Sequence, residues 1–209
     1  RDQAYFSQLS NHVLPDLARS RAESKRLSIW SAGCSTGQEA LSLAMIFAEQ
    51  SPRWKNWTIE ILGTDVSGKA VETARSGLYT QFEIQRGISV AQMLNFFADC
   101  GGHWQASDKI RSMTRFQQHN ILDYPPSPGR FDLVMCRNVL LYFDPATRSA
   151  AFDRVATGIA SDGWLMLGAG ETVVGQTERF RPANCGSSLY RPVQVDLSMA
   201  QPSLRAAVR

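Results

Sequence analysis

The stretch that most restricts this chain is the passage from Arg26 to Gln50. A short apolar segment, RLSIW, runs into SAGCSTGQEA and then into the apolar run EALSLAMIFAEQ, which ends before Pro52. The spacing predicts a buried strand, a tight turn and a helix. The same alternation continues. WTIEILGTD (57–65) predicts a second strand closed by Asp65. SGKAVETARSG (67–77) predicts a helix with serine at its start and glycine at its stop. Later come TRFQQHNI, FDLVMCRNVLLYF (131–143) as a strong buried strand, a helix from about 145 to 160, GWLMLGAGE, and SLYRPV as a last antiparallel strand. Strands alternating with helices imply a parallel sheet covered on both faces, a Rossmann-like α/β fold. Between 79 and 115 the alternation breaks, and VAQMLNFFA is the one clear helix. That region reads as an insertion, a small β-subdomain.

Ahead of the first strand, Phe6, Leu9, Val13, Leu14 and Leu17 predict a helix within residues 1–24 that Pro15 kinks or splits. The expected layout is therefore a linker helix (1–24), a sheet domain (25–78 and 116–193) and an insertion (79–115). The composition of 194–209 predicts a disordered tail. The net charge of +3 is too small to argue for nucleic acid. No run approaches the ~18 apolar residues of a membrane span. Cys34, Cys100, Cys136 and Cys185 are widely spaced, without a CxxC pair or matched histidines. That spacing argues against a metal site and for reduced thiols in a cytoplasmic protein.

In an open parallel sheet, ligands bind beyond the carboxyl ends of the strands. Gly33 and Gly37 would let a ligand approach the turn after the first strand, and Asp65 would suit ribose hydroxyls. The spacing is neither GxGxxG nor GxxxxGK[ST], which leaves S-adenosylmethionine as the common adenosine cofactor. The glycines alone are equally compatible with a tight turn and close helix packing, and Asp65 with a helix cap.

Larger motifs carry a resemblance. WSAGCSTGQE, GTDVS, FEIQRGI, HNIL and FDLVMCRNVLLYF follow one another in the order of WSAxCSTGEE, TDI, RGL, NLL and FDxIFCRNVLIYF. The chain thus resembles the chemotaxis-receptor glutamate methyltransferases, the CheR family, over roughly residues 1–193. The resemblance implies a class I S-adenosylmethionine-dependent methyltransferase fold. It also implies transfer of a methyl group to receptor glutamates, leaving S-adenosylhomocysteine. RDQAYF matches the end of the family's FFRD segment, so the family's amino-terminal helical domain is expected to be absent from this sequence.

By resemblance, Ala32, Gly33, Glu39, Asp65, Asn120, Ile121, Arg137 and Asn138 contact the cofactor, and Arg1, Arg137 and Tyr142 serve the transfer. Arg137, placed on the predicted buried strand, needs an anionic partner. The expected partners are chemoreceptors, met by a monomer without a carboxyl-terminal peptide tether, with no nucleic acid and no membrane insertion. Gln38, Ala40 and GAGE (168–171) depart from the family's usual residues. GAGE lacks the histidine of the frequent GHSE. A small-molecule or RNA methyltransferase is a rival reading that FEIQRGI disfavours. The alternative from another class is a degenerate module that binds the cofactor or its product and senses signalling without turnover.

Overall fold

A computed structural model describes residues 3–193, with the side chain of Gln3 left aside; Arg1 and the expected tail lie outside the described residues. The chain opens with α1 (Gln3–Gln8), a π-helical turn (Leu9–Val13) and α2 (Leu14–Ser20). Next come β1 (Arg26–Ala32), α3 (Gln38–Glu49), β2 (Thr58–Asp65) and α4 (Gly68–Ser76). The insertion supplies β3 (Leu78–Thr80), α5 (Gln81–Gln85), α6 (Val90–Phe96), β4 (Phe97–Asp99), β5 (His103–Ala106) and α7 (Asp108–Arg111). The remainder is β6 (Thr114–Gln118), β7 (Phe131–Cys136), α8 (Pro145–Gly158), β8 (Ile159–Leu167), β9 (Phe180–Pro182) and β10 (Leu189–Pro192).

The main sheet has 7 strands in the order β6-β2-β1-β7-β8-β10-β9. From β6 to β8 every neighbouring pair is parallel, and β10 runs antiparallel to both β8 and β9. From β1 the order proceeds one way through β2 to β6 and the other way through β7 to β8. That reversal opens a crevice beyond the carboxyl ends of β1 and β7, where an open α/β sheet binds its ligand.

The period of two along the strands sorts the core. Leu27, Ile29, Leu133, Met135, Trp164 and Met166 face a cluster with α1, α2 and α3. Trp30, Ala32, Val134, Cys136, Leu165 and Leu167 face the other cluster, with Phe152 and Val155 of α8. Pro15 sits in the first turn of α2, where its missing N–H costs nothing, and the π-helical turn just before it absorbs the break. Ser67 caps α4 by accepting from the Ala70 N–H, and Gly77 closes it at φ +62.

The insertion is more regular than its sequence suggests. It forms a 3-stranded antiparallel sheet, β3-β5-β4, beside short helices. Thr80 with Glu83 and Ser89 with Gln92 form capping boxes that start α5 and α6. These signals span too few residues to register as helical periodicity.

Candidate active site at the switch point

The turn after β1 is fastened to β2. Gly33 and Cys34 both donate backbone N–H groups to the Thr64 carbonyl, at 2.8 Å each, and Gly37 N–H closes on the Cys34 carbonyl at 2.9 Å. Gly33 and Gly37 adopt φ +75 and +86. A Cβ on Gly33 would lie 2.3 Å from Val139 Cγ2, and one on Gly37 2.8 Å from Ala74 Cβ. Turn geometry and packing against protein therefore account for these glycines by themselves, and the evidence for a ligand comes from the charged groups around them.

Asp65, at the end of β2, accepts from the Ser35 N–H and the Ser67 N–H, at 2.9 Å each. It holds Ser35 at φ +50 and steadies the turn while keeping further lone pairs for hydroxyl donors. Cys34 is buried in the same turn. Burial, reinforced by the negative charges of Asp65 and Glu39, pushes its thiol up to about 12, so it is no nucleophile at neutral pH.

Glu39 lies in the first turn of α3. Its Oε1 accepts from the Ser31 hydroxyl at 2.8 Å, and its Oε2 pairs with Arg137 Nη1 at 3.1 Å. The Arg137 guanidinium also lies 4.1 Å from the centre of the Tyr5 ring, a cation–π contact. Burial raises the Glu39 pKa above the ordinary carboxylate value, and Arg137 and Ser31 oppose that rise. The Glu39 side chain remains 19% exposed, whereas that of Arg137 is 9% exposed.

The expected buried strand through residue 143 is shorter than its apolar run. β7 stops at Cys136, and Leu140–Tyr142 form a 3-10 turn. Arg137, Asn138 and Tyr142 therefore lie in the loop beyond the strand. Asn138 adopts φ +57, a region asparagine tolerates, and Tyr142 is 79% exposed. What shapes this loop is Glu171. One of its oxygens accepts from the N–H groups of Asn138 (2.9 Å) and Gly168 (2.8 Å). The other accepts from Val139 (2.9 Å), Leu140 (2.7 Å) and, more weakly, Leu141 (3.4 Å). Sequence reasoning missed this role. The signal lay in GAGE, whose retained acid matters more here than the absent histidine.

A cavity of about 340 Å³ opens between the turn, α3 and the insertion, and Gly33, Glu39, Arg137 and Asn138 line it with Tyr79 and Phe97. Ala32 is buried beneath the turn. Asp65, Asn120, Ile121 and Tyr142 do not line the cavity. Asp65 and the segment after β6 adjoin one another, since His119 N–H donates to the Asp65 carbonyl at 3.0 Å. Ile121 is buried, while Asn120 is exposed and accepts from the Leu122 N–H. His119 does not line the cavity either: its ring packs edge-on against Trp30, and burial lowers its pKa.

The donor set fits S-adenosylmethionine. Glu39 is a partly open carboxylate, raised by burial, that gains from a further cation such as an ammonium. Asp65 offers an acceptor for ribose hydroxyls beside it.

Comparison with known proteins agrees. Residues 1–188 match the family described as "CheR methyltransferase, SAM binding domain". The chain is 33% identical over 192 residues to the chemotaxis protein methyltransferase of Vibrio parahaemolyticus, covering 90% of this chain and 69% of that one. It is 34% identical over 196 residues to chemotaxis protein methyltransferase 1 of Pseudomonas aeruginosa, covering 91% and 71%. Among solved structures, magnesium protoporphyrin IX methyltransferase from Synechocystis with bound SAH aligns with a TM-score of 0.41 at 19% identity, covering 77% of this chain and 54% of that one.

Proposed function

The chain belongs to the CheR methyltransferase family and carries its S-adenosylmethionine-binding domain, and on that premise we propose that it methylates glutamate side chains of chemoreceptors, giving glutamate methyl esters. The observation that carries this reading is the pairing of Glu39 with Arg137 at the switch point, beside Asp65. S-adenosylmethionine supplies an electrophilic methyl group on a sulfonium sulfur. A glutamate acceptor with a pKa near ~4.3 is already ionised at neutral pH and needs no base. The residues therefore have to position rather than to deprotonate, a task worth on the order of 7–11 kcal/mol when it is done well.

In this reading Glu39 takes the cofactor's ammonium while Arg137 keeps the Glu39 carboxylate ionised and oriented. Asp65 takes the ribose hydroxyls, Asn120 and Ile121 flank the adenine, and Ala32, Gly33 and Asn138 lie against the rest of the cofactor. Tyr142, exposed in the loop after β7, and Arg1 orient the acceptor carboxylate. Glu171 holds the loop that carries Asn138 and Tyr142.

Residues 25–78 and 116–193 act as the transfer unit behind the 1–24 linker, and 79–115 meets the receptor. β4, an edge of the inserted sheet, spans only Phe97–Asp99, a short platform for an added peptide strand, which supports a protein that works without a tether. No helix among the described residues is long and apolar enough to cross a membrane. The protein is expected to act as a cytoplasmic monomer on the receptors' cytoplasmic helices.

The test is incubation with methyl-labelled S-adenosylmethionine and a receptor cytoplasmic fragment. Labelled methanol released by mild base is the expected result, because esters are base-labile. Label that resists base would exclude a glutamate ester.

A further inference from the structure

The turn that carries the cofactor site is held from two directions. From the main sheet, Thr64 and Asp65 bind Gly33, Cys34 and Ser35. From the insertion, the Tyr79 hydroxyl donates to the Thr36 carbonyl at 2.7 Å. Thr36 sits between Ser35 at φ +50 and Gly37 at φ +86. A non-glycine residue at positive φ costs energy and persists only where its surroundings hold it.

We propose that Tyr79 is a positioning residue of the cofactor site: its hydroxyl fixes the Thr36 carbonyl and so couples cofactor binding to the inserted sheet. Tyr79 is built for this. Its side chain is 1% exposed, and its ring packs edge-on against Phe97, with centroids 6.3 Å apart. Burial pushes the phenol's pKa up, so it remains a proton donor at every working pH. Both Tyr79 and Phe97 line the cavity, together with Ile84 and Ile88 of the same insertion. Tyr79 lies at the middle of β3, paired with Trp104 of β5.

The insertion is therefore a wall of the cofactor cavity as well as an appended surface. A displacement of β3 reaches the turn through a part-buried, directional hydrogen bond. Coupling between two sites is reciprocal, so whatever steadies the inserted sheet strengthens cofactor binding, and bound cofactor steadies the sheet. None of this involves an acceptor, so it stands or falls apart from the assignment of chemoreceptors as substrates.

The test uses Tyr79→Phe, which keeps the packed ring and removes one hydrogen bond. Calorimetry with S-adenosylhomocysteine is expected to show affinity weakened about 3- to 10-fold, the scale of a single buried hydrogen bond. Amide exchange supplies the second readout. In the unaltered protein, S-adenosylhomocysteine is expected to slow exchange both in residues 33–38 and in β3. In Tyr79→Phe the protection of 33–38 is expected to remain and that of β3 to be lost. Affinity within about twofold of the unaltered protein, or undiminished protection of β3, overturns the proposal. A variant melting well below the unaltered protein, with exchange raised throughout, also overturns it, because Tyr79 would then be a residue of the fold alone.

Discussion

Glu171 shows how much a single carboxylate arranges. It accepts backbone N–H groups from two neighbouring loops, from Gly168 after β8 and from Asn138 to Leu141 after β7. Glu171→Gln turns one acceptor oxygen into a donor facing N–H groups. The expected loss is about 1.5–3 kcal/mol of stability, read by urea unfolding, with turnover falling further than cofactor affinity. Unchanged unfolding and turnover would deny Glu171 its role. In the proposed reading Glu39 is the residue whose charge meets the cofactor's ammonium. Burial raises its folded pKa, so the folded protein holds that proton to higher pH than an unfolded chain does. Its neutral form therefore favours folding below the unfolded value, and that advantage disappears as pH rises through the folded pKa. Ammonium binding has the opposite sign. Affinity for S-adenosylhomocysteine should rise as pH climbs through the folded pKa of Glu39 and level off above it. Glu39→Gln should be weak at every pH and lose that part of the profile, as calorimetry across the acid range would show. Glu39 and Asp65 could be singled out from sequence because their motifs are local. Glu171 was harder to single out: apart from Gly168 its partners are backbone groups some thirty residues away, and only the acid retained in GAGE marks it.

At the scale of elements, Arg21 joins the end of α2 to the sheet. It bonds Asp132 of β7 at 2.7 Å and Asp162 of β8 at 2.6 Å. The Asp132 side chain is 13% exposed, so removing Arg21 leaves a nearly buried charge unpaired, whereas the half-exposed Asp162 is screened by solvent. Arg21→Leu should cost about 1.5–3 kcal/mol in chemical unfolding. The Arg21 hydrogen bond lowers the pKa of Asp162, against a smaller effect of burial. Its stabilisation is present above the unfolded carboxylate value and is lost as pH falls through the lower folded one. Arg21→Leu should therefore begin acid unfolding at a higher pH, and an unchanged acid midpoint would contradict that. The short edge strand β4 bears on receptor contact. Titration with a receptor carboxyl-terminal pentapeptide is expected to leave the signals of residues 97–106 unshifted up to roughly millimolar peptide, and tight binding there would refute the tether-free reading. Short apolar runs at β1, β2 and β8, alternating with helical stretches, made the sheet legible. The apolar run after Cys136 misled because Leu140 is buried by a 3-10 turn, and apolar content alone does not separate a strand from a buried turn. The insertion was legible as a small β-subdomain, but its individual strands were not, because they have three or four residues, too few to show alternation.

For the whole molecule, the account divides labour across one crevice. As proposed, Asp65 and Glu39 serve the methyl donor and Tyr142 the acceptor, while Glu171 holds the loop after β7 and Tyr79 the turn after β1. Asp65→Asn keeps an oxygen for one of the two amides it accepts and should weaken S-adenosylhomocysteine by about 1–3 kcal/mol. Tyr142→Phe should leave that affinity near normal. The most direct measurement is the single-turnover rate of methyl transfer to a receptor cytoplasmic fragment, from protein saturated with S-adenosylmethionine. At saturation Asp65→Asn is predicted to recover a rate close to the unaltered protein, while Tyr142→Phe stays slow. Equal losses in both variants, or no transfer by the unaltered protein, would contradict the account.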